Sequence, residues 1–596
     1  MLRRGRALAA LLFSSGCGFG LIPTRVCPQS RPPAPSSVAS SNAANAFVEG
    51  AAALQRGDLD AARAAFQNAV LFNPLDVQSR NALGTVLLAQ NDLPGAIAQF
   101  QEALRVDPDF LKSRINLCNT LLRTNDLEGA VREGHAAVQS ASNDPDAHFA
   151  LARALGAASN LPEAVQSLRR AVQLAPQRAD LRDALGTLLV RQNDLPGATA
   201  EFQEALRLNP ELASAHLHLG VLQFEQQQFD QAEANLTQAA QLDPRNFLAL
   251  GYLGRTFREQ DKLPEAISAF QSALKLQPGQ LDILTLLGQT LQRAGNPVEA
   301  AANFRELLRL DPQNPDAQNN LGLALLQAGD GDGSIAAFLA ALKIRPGDTG
   351  YAGNLGAAYL QKADFVAAAA EFRQALQLDP KNQSLRYNLG LALKLQDKLP
   401  EAVTELKAAE ALNPAQPDAP YTLGVTLWQM GDADAAIAEL QNAIRAKPDY
   451  AEAYYMLGTV LKQKSRLPEA AQALREAIRL QPGFAGAHTT LAAVLRQLGD
   501  PAGAAAEVKL GATLAKQTTD LQAALFATNS GRRLRGLGDL DGAVTQFRAA
   551  IRAVPDYAPA HFELAIALRQ MGKKEDAATE FQKAALLDPK LVAPQL

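Results

Sequence analysis

A proline recurs every 34 residues through most of this chain. The series starts at Pro74 and Pro108, loses one member where Ser142 takes its place, and then runs from Pro176 to Pro482 without interruption. A fixed period of this length requires each segment to be the same supersecondary unit. The 596 residues are therefore predicted to form an array of stacked repeats rather than a few globular domains.

Residue preferences inside the period describe two helices per repeat. With position 1 set three residues after each proline, fourteen repeats share one register over residues 43–518. Two more occupy 524–591 after a slip at 519–523. Position 7 is Leu in fourteen of the sixteen repeats, position 8 is Gly in twelve, and position 20 is Ala in all but one. Positions 7 and 11 form an apolar stripe on the first helix, helix A, and positions 20, 24 and 27 form one on helix B.

Short polar turns separate the two helices. In Asn91-Asp92-Leu93-Pro94, Asp92 caps helix B, and Pro94 is tolerated because the amides of a first helical turn lack partners. The periodic proline, at position 32, ends helix B. Small residues at positions 8 and 20 let the two helix axes approach closely. The composition agrees, since the hydrophobic fraction of 47% is rich in Ala and Leu, which are strong helix formers.

This pattern resembles the consensus of the tetratricopeptide-repeat family. The matching residues of the second repeat are Leu83, Gly84, Ala96, Phe100, Ala103 and Pro108. The resemblance covers residues 43–591 and implies an all-α fold, a right-handed superhelical solenoid of helix-turn-helix repeats in which helix A lines a concave groove. It also implies a protein-binding scaffold, but the same fold serves many partners.

Asparagine at position 6 suggests a narrower resemblance. Asn320, Asn354 and Asn388 fall in three consecutive repeats, and Asn116 holds the same position earlier in the chain. This is similar to the repeat arm of O-linked N-acetylglucosamine transferase, whose asparagines grip a peptide backbone. A carboxamide can both donate and accept, so it can pair with a peptide unit whatever the side chain. The resemblance implies peptide binding here, without the transferase activity; a merely solvated face is the alternative.

Arginine and aromatic residues supply further candidates for the groove, because both types are favoured at binding hot spots. The residues in question are Tyr252, Arg255, Arg258, Arg293, Tyr387 and Trp428. The arginines are expected either to receive an acidic peptide terminus or to be solvated. Trp428, the single Trp, is expected either to pack between repeats or to face the groove.

No motif in the sequence predicts catalysis, a cofactor or a metal site. His216 and His218 lie two residues apart on a helix, so they point in different directions. The run Gly329-Asp330-Gly331 resembles the start of a calcium loop but falls at a turn between helices A and B and lacks the closing Glu. Cys118 stands where most repeats have Gly, which predicts a small buried residue. A net charge of −4 argues against nucleic acid as a partner.

Residues 1–42 are predicted to be a leader and a flexible linker rich in Pro, Ser and Ala. Arg3 and Arg4 precede a short apolar run, and Cys17 closes a stretch that resembles a lipoprotein cleavage box. We therefore expect export to the cell envelope or periplasm, with Cys17 as a lipid anchor and the only link to a membrane. Secretion without lipid and a cytoplasmic protein are the alternatives.

The slip near residues 509–529 is predicted to lengthen a helix B. The last repeat ends close to the tail 592–596 without an extra helix, which predicts exposed apolar surface and self-association there. The sequence thus predicts a non-catalytic scaffold that binds a protein or peptide in its groove to assemble a complex. The alternative is a regulatory or adaptor subunit of a glycosyltransferase or of a machine for polysaccharide synthesis or export.

Overall fold

Helices α1 to α31 account for all the regular structure in residues 37–591, the range that the computed structural model of the chain describes. They group into two units, which meet in sequence between Pro312 and Gln313. In the first unit the helices are α1 Ser37–Gln55, α2 Leu59–Phe72, α3 Val77–Ala89, α4 Leu93–Val106, α5 Leu111–Arg123, α6 Leu127–Ser140, α7 Pro145–Ala157, α8 Leu161–Leu174, α9 Ala179–Arg191, α10 Leu195–Leu208, α11 Ala213–Glu225, α12 Phe229–Leu242, α13 Phe247–Glu259, α14 Leu263–Leu276, α15 Leu281–Arg293 and α16 Pro297–Leu310.

In the second unit they are α17 Pro315–Gln327, α18 Gly331–Ile344, α19 Thr349–Gln361, α20 Phe365–Leu378, α21 Gln383–Leu395, α22 Leu399–Leu412, α23 Asp418–Gln429, α24 Ala433–Ala446, α25 Ala451–Gln463, α26 Leu467–Leu480, α27 Ala485–Gln497, α28 Pro501–Gly536, α29 Leu540–Ala553, α30 Ala558–Gln570 and α31 Lys574–Leu587. Within each unit, consecutive helices pack side by side, which confirms the predicted all-α repeat architecture. No helix in residues 37–591 is both long enough and apolar enough to cross a bilayer.

The turn between helices A and B depends on a residue with positive φ at position 15. Asn91 takes this conformation with φ 64°, and Gly329 takes it with φ 84°. Asn and Gly reach the left-handed region at the lowest cost, which explains the polar turn signals in the sequence. The next residue caps helix B: Asp92 accepts a hydrogen bond from the Gly95 amide at 3.0 Å, and Asp330 caps α18 in the same way. Gly329 to Gly331 is thus part of a helix-capping turn, as predicted.

Glycine at position 8 is fixed by the aromatic residue at position 24. A β-carbon on Gly84 would lie 2.5 Å from the ring of Phe100, which is fully buried. In the third repeat the larger of the two residues is at position 8 and the glycine is at position 24: they are Cys118 and Gly134. Cys118 is fully buried, as predicted, and burial raises the pKa of its thiol to about 12.

An arginine or histidine at position 4 ties each of several repeats to the preceding loop. Arg386 donates to the Pro380 carbonyl at 3.0 Å and to Glu405 of helix B at 2.7 Å. His216 makes the same pair of contacts with the Pro210 carbonyl and Asn235. This arrangement assigns a structural role to these side chains and separates His216 from His218, which instead faces Asp183.

Helix boundaries differ from the sequence prediction in two places. Helix α1 starts at Ser37, so the last six residues of the linker predicted over 1–42 are helical. No proline follows Pro35 until Pro74, and the Ala-rich segment after it favours a helix. At the slip, the prediction was a lengthened helix B; the structure instead has one helix, α28, that joins helix B of repeat 14 to helix A of repeat 15. Lys516 replaces the proline that ends helix B elsewhere, and no turn residue follows it.

Candidate functional site

Side chains at positions 5, 6, 9, 12 and 13 of helix A form one surface of each unit, here called the helix A face. Position 5 of one repeat reaches position 6 of the next along this face. Three such pairs are Asn81 with Asn116 at 3.0 Å, Asp183 with His218 at 2.8 Å, and Asn319 with Asn354 at 2.8 Å. The sequence analysis named residues at both positions as groove candidates but missed this pairing between them, although a constant separation of 35 residues connects the two positions throughout the array.

The three predicted asparagines all lie on the helix A face of the second unit, on α17, α19 and α21, and all are half-buried. Asn354 donates from Nδ2 to Oδ1 of Asn319, and this contact fixes the orientation of its amide. The carboxamides of Asn320 and Asn388 make no hydrogen bond within residues 37–591. Position 5 of the repeat that precedes Asn388 is Gly353, which has no side chain to offer. Two asparagines thus retain their full capacity to donate and accept.

Tyrosines continue this surface toward the C-terminus. Tyr387, Tyr421 and Tyr455 occupy position 5 in three consecutive repeats and pack partly against the buried core. The Tyr387 hydroxyl lies 3.4 Å from Thr422 Oγ1, and burial raises the pKa of Tyr421. These half-buried rings, which start in the repeat that contains Asn388, give the face apolar area with polar ends.

Trp428 on α23 combines both roles considered from the sequence. Its ring is half-buried and packs against the core, while its indole Nε1 donates to Gln463 Oε1 of the next repeat at 2.5 Å. The indole donor is therefore already used, and Trp428 offers the helix A face mainly the exposed part of its ring.

The predicted arginine group lies in the first unit and is largely paired internally. Arg255 forms an ion pair with Asp282 at 2.9 Å and stacks over the ring of Tyr252 at 5.2 Å. Arg293 forms an ion pair with Asp261 at 2.9 Å. Arg258 donates to Gln289 at 3.5 Å and, with Arg255, lines an open cavity of about 410 Å³. An acidic ligand at this cavity would compete with carboxylates of the chain itself.

Asn116 lies in another cavity of the first unit, with a volume of about 420 Å³. Its Nδ2 is bonded to Asn81, and both arginines of the cavity have partners: Arg178 lies 2.6 Å from Asp146, and Arg153 donates to Asn119 at 2.9 Å. Asn116, Tyr252 and the three predicted arginines thus lie in the first unit. The remaining described candidates lie in the second unit: Asn320, Asn354, Asn388, Tyr387 and Trp428. Cys17 lies outside the described residues.

No group of three potential metal ligands occurs in the part of the chain that the structure describes. At the C-terminal end, Leu586 of α31 is 84% exposed. This residue supplies exposed apolar surface in the last repeat, where the sequence predicts it; self-association through that surface stays a prediction.

Comparison with known proteins identifies repeats along most of the chain. A family model described as tetratricopeptide repeat matches residues 47–109, 222–280, 285–349, 354–420, 421–485, 455–513 and 528–591. A second model, TPR repeat, matches 186–227, and a third, tetratricopeptide repeat, matches 87–154. No curated protein sequence matches the chain.

Solved structures of repeat proteins resemble parts of the chain. A crystal structure of MamA is 27% identical, covers 28% of this chain and 96% of its own, and superposes with a TM-score of 0.27. MamA 41-end from Desulfovibrio magneticus RS-1 is 22% identical over 28% of this chain and 96% of its own, also with a TM-score of 0.27. The APC/C hetero-tetramer Cut9-Hcn1 is 14% identical over 89% of this chain and 98% of its own, with a TM-score of 0.32.

Proposed function

Because this chain belongs to the tetratricopeptide-repeat family, whose members bind protein partners, we propose that it is a non-catalytic scaffold that holds an extended peptide segment on the helix A face of its second unit. The observation that carries the proposal is the pair of free carboxamides of Asn320 and Asn388. They lie on either side of Asn354 in sequence, one repeat away in each direction. No comparable set of unpaired amides stands on the helix A face of the described part of the first unit.

The chemistry of this face suits the main chain of a peptide. Each peptide unit carries one N–H donor and one C=O acceptor, and a carboxamide matches both at once. A half-buried amide also loses less to competition with water than an exposed one. The resemblance of the asparagine pattern to the arm of O-linked N-acetylglucosamine transferase supports the same contact at Asn320, Asn354 and Asn388.

The tyrosines add affinity without demanding a particular charge on the ligand. Tyr387 precedes Asn388 in the chain, Tyr421 has the same position one repeat later, and both offer half-buried rings on this face. Burial also lowers the pKa of Lys394 on the same helix as Asn388, which indicates a partly desolvated surface around it. A ligand of alternating apolar and small side chains fits such a face best, since its apolar groups cover the rings while its backbone meets the amides.

Selection of peptides from a random display library against the full chain tests this proposal. The triple variant Asn320→Ala, Asn354→Ala, Asn388→Ala should lose about 100-fold in affinity for the selected peptides, if each amide contributes about 1 kcal/mol. The matched variant Arg255→Gln, Arg258→Gln, Arg293→Gln should bind within about twofold of the wild type. Equal binding by the asparagine variant, with helicity intact by circular dichroism, would refute the proposal.

We propose the cell envelope as the setting of this scaffold, with Cys17 as the lipid-modified residue. The support is the sequence of the leader, in which a basic start and an apolar run precede Ser14-Ser15-Gly16-Cys17. Metabolic labelling with a fatty acid tests it: label should enter the wild-type chain and not Cys17→Ser. Label in both, or in neither, would count against a lipid anchor at this residue.

A further inference from the structure

All neighbouring repeats of the second unit pack against each other except repeats 14 and 15, where helix α28 interrupts the packing. Elsewhere in this unit helix B packs against helix A of the following repeat, and the two A helices also meet. Leu385, at position 3, illustrates the contact between A helices. Its Cδ2 lies 3.2 Å from the point that a β-carbon on Gly353 of the preceding repeat would occupy. Helix B of repeat 14 and helix A of repeat 15 are one rod, about 54 Å long at 1.5 Å per residue, and so cannot fold onto each other.

The interruption exposes residues that are buried at the same positions in the other repeats. Position 24 is fully buried in repeats 9–13 and 15 of this unit, but Val508 in repeat 14 is 44% exposed. Position 3 is at most 5% exposed in repeats 10–14 and 16, but Phe526 in repeat 15 is 77% exposed. Repeat 14 thus ends one stack and repeat 15 starts another, each with an uncovered face.

The two uncovered faces lie on the same side of α28. Seven of the exposed residues of α28 have a spacing of three and four between Val508 and Phe526 and just beyond, which places them in one stripe on this side. They are Ala505, Val508, Ala512, Ala515, Thr519, Gln522 and Phe526. The three alanines and Thr519 are small, so a second helix axis could approach them closely. Phe526 is the one large side chain in the stripe and needs a small residue opposite it.

We infer that a second copy of this chain covers the stripe, in a two-fold dimer whose two α28 helices run antiparallel. The two faces are the halves of a single repeat-to-repeat junction, and the rod keeps them apart within one chain. Helix B and the following helix A are antiparallel at every ordinary junction because a short loop joins them. Two chains restore this arrangement twice, with repeat 15 of each copy stacked on repeat 14 of the other.

The register of the pairing follows from an ordinary junction. In the first unit, Gly134 at position 24 of helix B lies against Leu151 at position 7 of the next helix A: a β-carbon there would be 2.9 Å from Leu151 Cα. The equivalent residues on α28 are Val508 and Ser530, and Thr519 lies midway between them. The two-fold axis therefore passes near Thr519. The same register sets Phe526 of one copy opposite Ala512 of the other, a large side chain against a small one.

Sedimentation velocity on the full chain, across a hundredfold concentration range, tests the dimer. Wild type should sediment as a dimer of the 63.4 kDa chain, and Phe526→Asp should sediment as a monomer with unchanged helicity, because Phe526 is exposed within its own chain. Leu586→Asp, a matched change at the exposed apolar residue of the last repeat, should remain dimeric. A monomeric wild type, or a dimer that survives Phe526→Asp, would overturn the inference.

Cysteine cross-linking tests the register. In a chain with Cys17→Ser and Cys27→Ser, Thr519→Cys should form a disulfide-linked dimer under mild oxidation, because the two-fold axis brings the two copies of this residue together. Gln517→Cys, exposed on the opposite side of the same helix, should remain uncross-linked. Equal cross-linking at both positions, or cross-linking at Gln517→Cys alone, would contradict the antiparallel pairing.

Discussion

In the first unit, charged side chains on the helix A face and next to it are already paired: Arg255 with Asp282, Arg293 with Asp261 and Arg178 with Asp146. In the second unit the helix A face carries carboxamides and tyrosines at positions 5 and 6, and Asn320 and Asn388 are unpaired within residues 37–591. A ligand gains little where it must first break an ion pair, whereas a free, half-buried amide gains a hydrogen bond outright. The same type of repeat therefore presents largely paired side chains in the first unit and two unpaired carboxamides in the second.

Substitutions that disturb the packing of helix A against helix B should have the largest effect, and this effect should be on stability. Gly322→Val places a β-carbon about 2.5 Å from the fully buried ring of Phe338, so it should lower the free energy of unfolding of the second unit by about 3 kcal/mol. Gly347→Val, in a turn where a β-carbon would meet no atom within 4 Å, should change it by less than about 0.5 kcal/mol. Urea titration followed by circular dichroism measures both. Similar losses for the two variants would show that close packing at position 8 does not set the frame.

Loss of the contacts that residues at position 4 make should have the next largest effect on stability. Arg386→Met removes a partly buried ion pair with Glu405 and the hydrogen bond to the Pro380 carbonyl, and should lower the stability of the second unit by about 2 kcal/mol. Arg373→Met removes an ion pair with Glu401 whose partners are both about half exposed, and should cost less than about 0.5 kcal/mol. The same titration resolves the difference, and a reversed order would remove the structural role assigned to Arg386.

On the helix A face of the second unit, substitutions of the individual asparagines should differ in their effect on the proposed peptide binding. Asn388→Ala removes a carboxamide with both ends free and should weaken binding of a selected peptide about tenfold. Asn354→Ala should weaken it about threefold, because its Nδ2 is already bonded to Asn319. Isothermal titration calorimetry at fixed pH measures the two affinities. A larger loss at Asn354 would mean that a fixed orientation matters more than free hydrogen-bonding capacity.

Salt should have the smallest effect. If the ligand lies on the uncharged amides and tyrosines, raising the salt concentration from 0.05 to 0.5 M should change the affinity of a selected peptide by less than about twofold. Binding at the arginine cavity of the first unit would instead weaken steeply over this range. Fluorescence anisotropy with a labelled peptide that carries an acidic residue separates the two faces without any mutation.

Much of the frame could be predicted from the sequence, because local chemistry determines it. The period, the glycine at position 8 and the aspartate caps each have one structural reason, which repeats along the chain. The continuous α28 was missed because the substitution of Lys516 for proline removes a stop signal, while only packing decides whether the chain folds back. The first six residues of α1 were missed because Ser- and Ala-rich segments suit both a linker and a helix.

The candidate site was harder to predict, since its properties depend on neighbours one repeat away. Nothing in the immediate sequence around Asn354 and Asn388 shows that one amide is bonded and the other is free; the difference comes from Asn319 and Gly353 in the preceding repeats. The pairing of Arg255 with Asp282 likewise joins two repeats. Site residues in a solenoid must therefore be assessed in pairs across repeats.

A scan of a selected peptide with N-methylated backbone amides tests the central claim most directly, because that claim is recognition of the peptide main chain. N-methylation removes a backbone donor and leaves every side chain in place. The account predicts that methylation at two or three residues lowers affinity about tenfold each in calorimetry, and that these losses shrink in the Asn388→Ala variant. Undiminished binding by every methylated peptide would contradict it.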